Sequence, residues 1–150
     1  MACKMKFKKL KIDKKFQPCS VDKDDEIFQN GFFHFNITKM IKFISQNKNL
    51  ILVENIDVRA YRVSYSSNLN EETILTAQTS NPIILAEISP ANYNVIDGNH
   101  RLEKSFRDGL EIIPGYKLTV DQHLKFLTSI EAYKAYVRYW NEKVSALGGY

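Results

Sequence analysis

A chain of 150 residues, 44% apolar and 25% charged, has the composition of a folded globular protein and the length for one domain with a real core. The formal charge of +4 and the pI of about 9.0 favour anionic partners, while no apolar run reaches the length of a bilayer span and no apolar signal core opens the chain. Cys3 and Cys19 lack a C-x-x-C spacing, which suggests neither a metal site nor a disulfide framework, so a reduced, cytoplasmic protein is expected.

Seven lysines crowd the first fifteen residues: Lys4, Lys6, Lys8, Lys9, Lys11, Lys14 and Lys15. Within them, Met5 to Ile12 alternates apolar and basic residues and predicts a half-exposed edge strand or frayed terminus. The same basic arm could touch nucleic acid or phosphate. Phe32 to Phe35 predicts a short strand, followed by a helix with Ile37, Met40, Ile41 and Ile44 at helical spacing and Asn36 or Thr38 as its cap. Leu50 to Ile56 predicts a strand, and the run from Asn68 or Asn70 a short helix with Glu71 and Glu72 in its first turn. Pro82–Ile88 and Asn94–Asp97, joined by a Pro-containing turn, predict a hairpin. Leu102 and Phe106 lie four apart before Gly109, a natural helix stop. Ile112–Leu118 predicts a further short strand, with Pro114 favouring an edge or a strand end. From Val120 the chain is predicted helical, with an apolar stripe of Ile130, Tyr133, Val137, Trp140 and Val144. Tyr136 and Tyr139 widen that face and leave room for a homodimer contact. The pattern is mixed α/β (α+β): a small mixed sheet with helices around it and a C-terminal helical tail. It forms one domain, with a core over residues 50–119, an N-terminal extension over 1–49 and C-terminal helices over 120–147.

Polar chemistry concentrates at Asp97-Gly98-Asn99-His100-Arg101, where a strand passes directly into a helix. The first N–H groups of a helix lack partners within it, and its dipole adds positive charge there, so the geometry suits phosphate. Gly98 allows a left-handed turn and close approach, Arg101 offers a planar fork, His100 can donate or shuttle protons, and Asp97 can hold a metal ion or act as a base. The same residues also fit a plain Asp-Gly turn with Asp97 as helix cap. His34 reads as a strand histidine and His123 as a surface residue. No zinc site is expected, while a magnesium ion arriving with a nucleotide is compatible with the acids present.

Pro82-Ile83-Ile84, then Val95-Ile96-Asp97-Gly98-Asn99-His100-Arg101, then Gly109-Leu110 to Ile113-Pro114 together resemble the core of the ParB/sulfiredoxin superfamily. Val53 and Ile56 fit that family's opening strand, so the resemblance covers about Leu52 to Thr119. It implies a ParB/sulfiredoxin-like fold with nucleotide phosphates on Gly98, Asn99, His100 and Arg101, a nucleoside triphosphate with magnesium as the ligand, and His100 and Asp97 as catalytic candidates. In kinase-like members an acid on the opening segment acts as base, which implies Glu54 or Asp57 here. Glu103, in the first turn of the following helix, is a weaker candidate. The family spans sulfiredoxins, free-serine kinases, CTP-hydrolysing segregation proteins and nuclease-like proteins. Sulfiredoxins carry a cysteine just before the histidine, and Asn99 in that place argues against their chemistry. The D-G-x-H-R form is closer to the kinase-like and nuclease-like branches.

Three function classes follow. The first is phosphoryl transfer or phosphoester hydrolysis at Asp97–Arg101. The second is a module that binds nucleotide or DNA without processing it, helped by the lysine-rich arm. The third is a phage- or defence-type interaction protein acting through its N-terminal part.

Overall fold

The computed structural model describes residues 7–62 and 69–148, so Cys3, Lys4, Met5, Lys6 and the capping candidate Asn68 lie outside the described residues. The chain forms a mixed α+β fold with two small sheets. A hairpin of β1 (Ile27–Asn30) and β2 (Phe33–Asn36) leads into helix α1 (Ile37–Gln46). The asparagine alternative for its cap is the one used: Asn36 accepts the Lys39 N–H, whereas the Thr38 hydroxyl accepts the Glu26 N–H. Next come β3 (Glu54–Asp57), α2 (Val58–Tyr61), and α3 (Glu71–Thr76) capped by Asn70. Strands β4 (Ile83–Ser89) and β5 (Asn92–Asp97) form the expected hairpin, with Pro90 and Ala91 as its two-residue turn. Helix α4 (Asn99–Arg107) ends at Gly109, whose φ of +76° and the Leu110 N–H to Ser105 carbonyl bond make a left-handed C-terminal cap. Strand β6 (Ile112–Leu118), α5 (Val120–His123), a 3₁₀ turn over Leu124–Phe126 and α6 (Ile130–Ala146) complete the chain.

The larger sheet has the order β3-β6-β4-β5, with β6 and β4 parallel and both outer pairs antiparallel. Every residue of β4 is buried, as a central strand covered on both faces requires. One face packs Ile84, Ala86 and Ile96 against α1, α5 and α6; the other packs Ile83, Leu85 and Ile113 against Val58 and Leu102.

Four local expectations are corrected. Strand β6 is interior, not an edge, and Pro114 sits within it. The parallel ladder to β4 begins at Gly115, one residue beyond, so no bond to β4 is lost to the missing N–H. The predicted strand from Leu50 shrinks to Glu54–Asp57, because Leu50 and Ile51 turn back onto the Asn47 carbonyl. Residues 7–12 form no strand. They run as an irregular strap across α6, where the Asn141 amide bonds both the N–H and the carbonyl of Leu10 and Trp140 donates to the Lys8 carbonyl. The Lys8, Lys9, Lys11, Lys14 and Lys15 positions stay exposed on it. Tyr136 on α6 is fully buried, and Tyr139, partly buried, packs on Phe32 and Phe33.

The fourth correction is His123, expected at the surface and found wholly buried. Its Nε2–H donates to the Glu87 carbonyl at 2.7 Å, an oxygen that also accepts from the Tyr136 hydroxyl, and its Nδ1 has no partner among the described residues. Burial lowers its pKa to about 4, against 6.5 in an unfolded chain. Between those values the unfolded chain binds a proton that the folded one excludes. Stability is therefore full above about pH 6.5 and falls as pH drops towards 4, by about 3 kcal/mol. Urea midpoints measured across that range should show this slope, and His123→Leu should flatten it. An unchanged slope in the variant would assign the acid sensitivity elsewhere.

Candidate functional site

The Asp97–Arg101 turn sits where β5 ends and α4 begins, and a bulge decides where its acid points. Val95 pairs with Leu85 but Asp97 pairs with Ile84, which leaves Ile96 as the extra residue. Cross-strand neighbours share a face, and Ile84 belongs to the α1 side. Asp97 is thereby turned towards α1, although strict alternation from Val95 would have sent it to the α4 side.

Gly98 is the N-cap of α4 in a left-handed conformation (φ +104°, ψ +22°), and no side chain caps the helix. Asp97 is therefore not the cap. Its Oδ2 accepts from Arg101 Nη2 at 3.0 Å, while Arg101 Nη1 donates to the Pro82 carbonyl at 2.9 Å and more weakly to that of Asn81. The Arg101 fork thus ties the first turn of α4 to the entry of β4. His100 Nε2 accepts the Asn70 N–H at 3.2 Å and links α4 to the start of α3.

The turn lies between two cavities. One, of about 350 Å³, is lined by Asp97 and Arg101 together with Ile44, Ser45 and Lys48 of the α1 region and Tyr116 of β6. The other, of about 430 Å³, runs along the free edge of β5 and includes Asn99. Glu26, just before β1, also belongs to this neighbourhood. Burial raises its carboxyl above the usual range, and the Asp97 charge raises it further.

Glu54 is not brought to this site. It lies on β3, at the opposite edge of the sheet, three strand spacings or about 14 Å from β5. It also shares the α4-side face with Ile56, whereas Asp97 faces α1. Its alternative, Asp57, caps α2 by accepting the Arg59 and Ala60 N–H groups. Glu103 is buried and held by two arginines, a structural acceptor. His34 bonds the Gly31 carbonyl within its own hairpin.

Asp97, Gly98, Asn99, His100 and Arg101 are thus together, as their adjacency in sequence requires. Lys48, Glu26 and the residues of the larger cavity come from distant segments, and no local spacing marks them. Among the described residues, no three His, Cys, Asp or Glu side chains gather into a metal-type group, and no helix is long and apolar enough to cross a membrane. No family model, curated protein or solved structure matches the chain.

Proposed function

We propose that this chain binds a phosphate-bearing ligand, a nucleotide, at the Gly98–Arg101 turn. One observation carries the reading: α4 starts at a left-handed glycine with no side-chain cap, which leaves its first N–H groups and its positive dipole end free for an anion. Lys48 and Arg101 line one cavity with Asp97, the single acid among its described lining residues, and add a positive balance. A ParB/sulfiredoxin-like core belongs to the same proposal. It is supported by the order in which the P-I-I strand, hairpin, D-G-N-H-R turn, helix and I-I-P strand follow one another as β4, β5, α4 and β6.

Magnesium-dependent phosphoryl transfer or hydrolysis is the second reading, favoured by a second acid near Asp97: the Asp97 charge adds to burial in raising the Glu26 carboxyl above its usual range. A nucleotide-borne magnesium fits Asp97 as a single protein carboxylate, the phosphates supplying most other ligands. Against this reading stand the Arg101 pairing of Asp97 and the distance of Glu54, so binding is the better-supported function.

The test is thermal unfolding with ATP, GTP, CTP, UTP and inorganic tripolyphosphate, with and without magnesium, alongside phosphate release. A ligand present at a hundred times its Kd should raise Tm by on the order of 5 °C, less so at high salt. No shift with any of them would reject the binding reading. Phosphate release abolished by Asp97→Asn would support the enzyme reading, and no release by the unaltered protein would reject it.

A further inference from the structure

The cavity of about 430 Å³ on the free edge of β5 is built from three separate parts of the chain. Phe28, Asn30 and Phe33 come from the β1–β2 hairpin, Ala60 and Tyr61 from α2, and Asn92 to Ile96 with Asn99 from β5 and the first residue of α4. Its volume is that of a small-molecule site. Among the described residues, every one that lines it is neutral, in contrast to the neighbouring cavity, which holds Lys48, Asp97 and Arg101.

Its chemistry is of two kinds. Four aromatic rings, Phe28, Phe33, Tyr61 and Tyr93, offer flat faces. Asparagine carboxamides, each both donor and acceptor, offer paired hydrogen bonds. Among the described residues, the side chains of Asn30, Asn94 and Asn99 have no hydrogen-bond partner in the protein, whereas Asn92 bonds the Ser89 hydroxyl. Burial, with help from the Glu87 and Glu54 charges, raises the Tyr93 pKa, which keeps that phenol a neutral donor. Exposed or half-buried carboxamides without a protein partner among the described residues, lining the same cavity as four aromatic rings, suit a planar ring that carries donors and acceptors on its edge.

Asn99 joins this cavity to the anion-binding turn, because it is both a lining residue and the first residue of α4. A ligand spanning the two would need an anionic end at the helix terminus and a neutral, flat, hydrogen-bonding end beside β5. From these placements we infer that the cavity is the nucleobase site of the nucleotide, and that the β1–β2 hairpin of the N-terminal extension is the wall that selects the base. This rests on the phosphate-binding reading above and assigns a role to Phe28, Asn30 and Phe33, which lie outside the resembling segment.

The experiment compares Kd by calorimetry for ATP, GTP, CTP, UTP and inorganic tripolyphosphate, on the full chain and on Asn94→Ala, Asn30→Ala and Tyr61→Leu. Circular dichroism and thermal melts confirm that each variant is folded. One nucleotide should bind about tenfold or more tightly than the other three, the scale of discrimination by one paired carboxamide–base contact. Each variant should reduce that preference while leaving tripolyphosphate binding as it was. Equal affinity for all four nucleotides, or a preference that survives all three substitutions, would overturn the base site while the phosphate reading stands. Absence of binding by every nucleotide and by tripolyphosphate would remove the phosphate reading and this inference together.

Discussion

Gly98→Ala is expected to destabilise the protein by about 3 kcal/mol, combining the left-handed backbone penalty with overpacking. Gly98 has φ +104°, a region that a residue with a Cβ avoids. A Cβ there would also lie 2.9 Å from Ile83 Cβ, closer still to Ile83 Cγ2, and 3.1 Å from Arg101 Nε. Ile83 is fully buried at the start of β4, so it has no room to yield. Gly109→Ala supplies the control. Its φ of +76° carries similar strain, but nothing lies within 4 Å of its Cβ, so about 1 kcal/mol is expected. Denaturant midpoints of the two variants measure the difference. Equal losses would mean that α4 does not sit tightly on β4 at the turn, and the close approach that shapes the anion site would be lost with it.

The second large effect is at Glu103. Its side chain, 4% exposed, accepts from Arg62 Nε at 2.9 Å and Arg62 Nη2 at 3.2 Å, and from Arg107 Nε at 3.1 Å. Arg62 also lies over the Phe106 ring at 3.7 Å, and Arg107 grips Glu71 with two further bonds. The network ties the residue after α2, the first turn of α3 and the body of α4 into one unit. It thereby sets the direction of the helix whose N-terminus forms the site. The Arg62 hydrogen bonds, with the one from Arg107, hold the Glu103 carboxyl below its usual range.

Removing one partner of a buried ion pair costs about 3–5 kcal/mol. Here both arginines retain contact with water, which lowers the expectation for Glu103→Ala to about 2–3 kcal/mol. Its stability contribution is present above the ordinary carboxylate pKa and is lost as pH falls through the lower, folded value. The expected loss for Glu103→Ala is therefore largest near neutral pH and shrinks in acid. Glu71→Ala, at an exposed pair, should have little effect. Equal effects at Glu71 and Glu103 in urea unfolding would contradict the difference that burial makes.

Much of the fold is legible in short stretches of sequence. Helix α1 follows from Ile37, Met40 and Ile44 at helical spacing behind Asn36. The β4–β5 hairpin follows from its apolar runs and the Pro90–Ala91 turn, and the end of α4 from Gly109. Strand β1 is not legible, since Ile27–Asn30 is four residues with half of them polar. Nor is the interior position of Pro114, because which strand flanks β6 depends on a partner 32 residues away, Ile83 opposite Gly115. His123 resembles a surface residue until α5 is laid against β4, where the Glu87 carbonyl gives its ring a partner.

At the site the division is sharper. By itself the sequence determined that Asp97 to Arg101 would be adjacent at a strand-to-helix turn, because strand pattern, glycine and helix spacing act over a few residues. Only the tertiary structure decided that Arg101 braces β4, that a bulge turns Asp97 towards α1, and that Glu54 lies across the sheet on its other face. It also decided that Phe28, Phe33, Tyr61, Tyr93 and Asn99, from distant segments, line one cavity. These outcomes depend on strand order, register and packing between segments far apart in the chain, and a single-residue change in register exchanges the two faces of a strand.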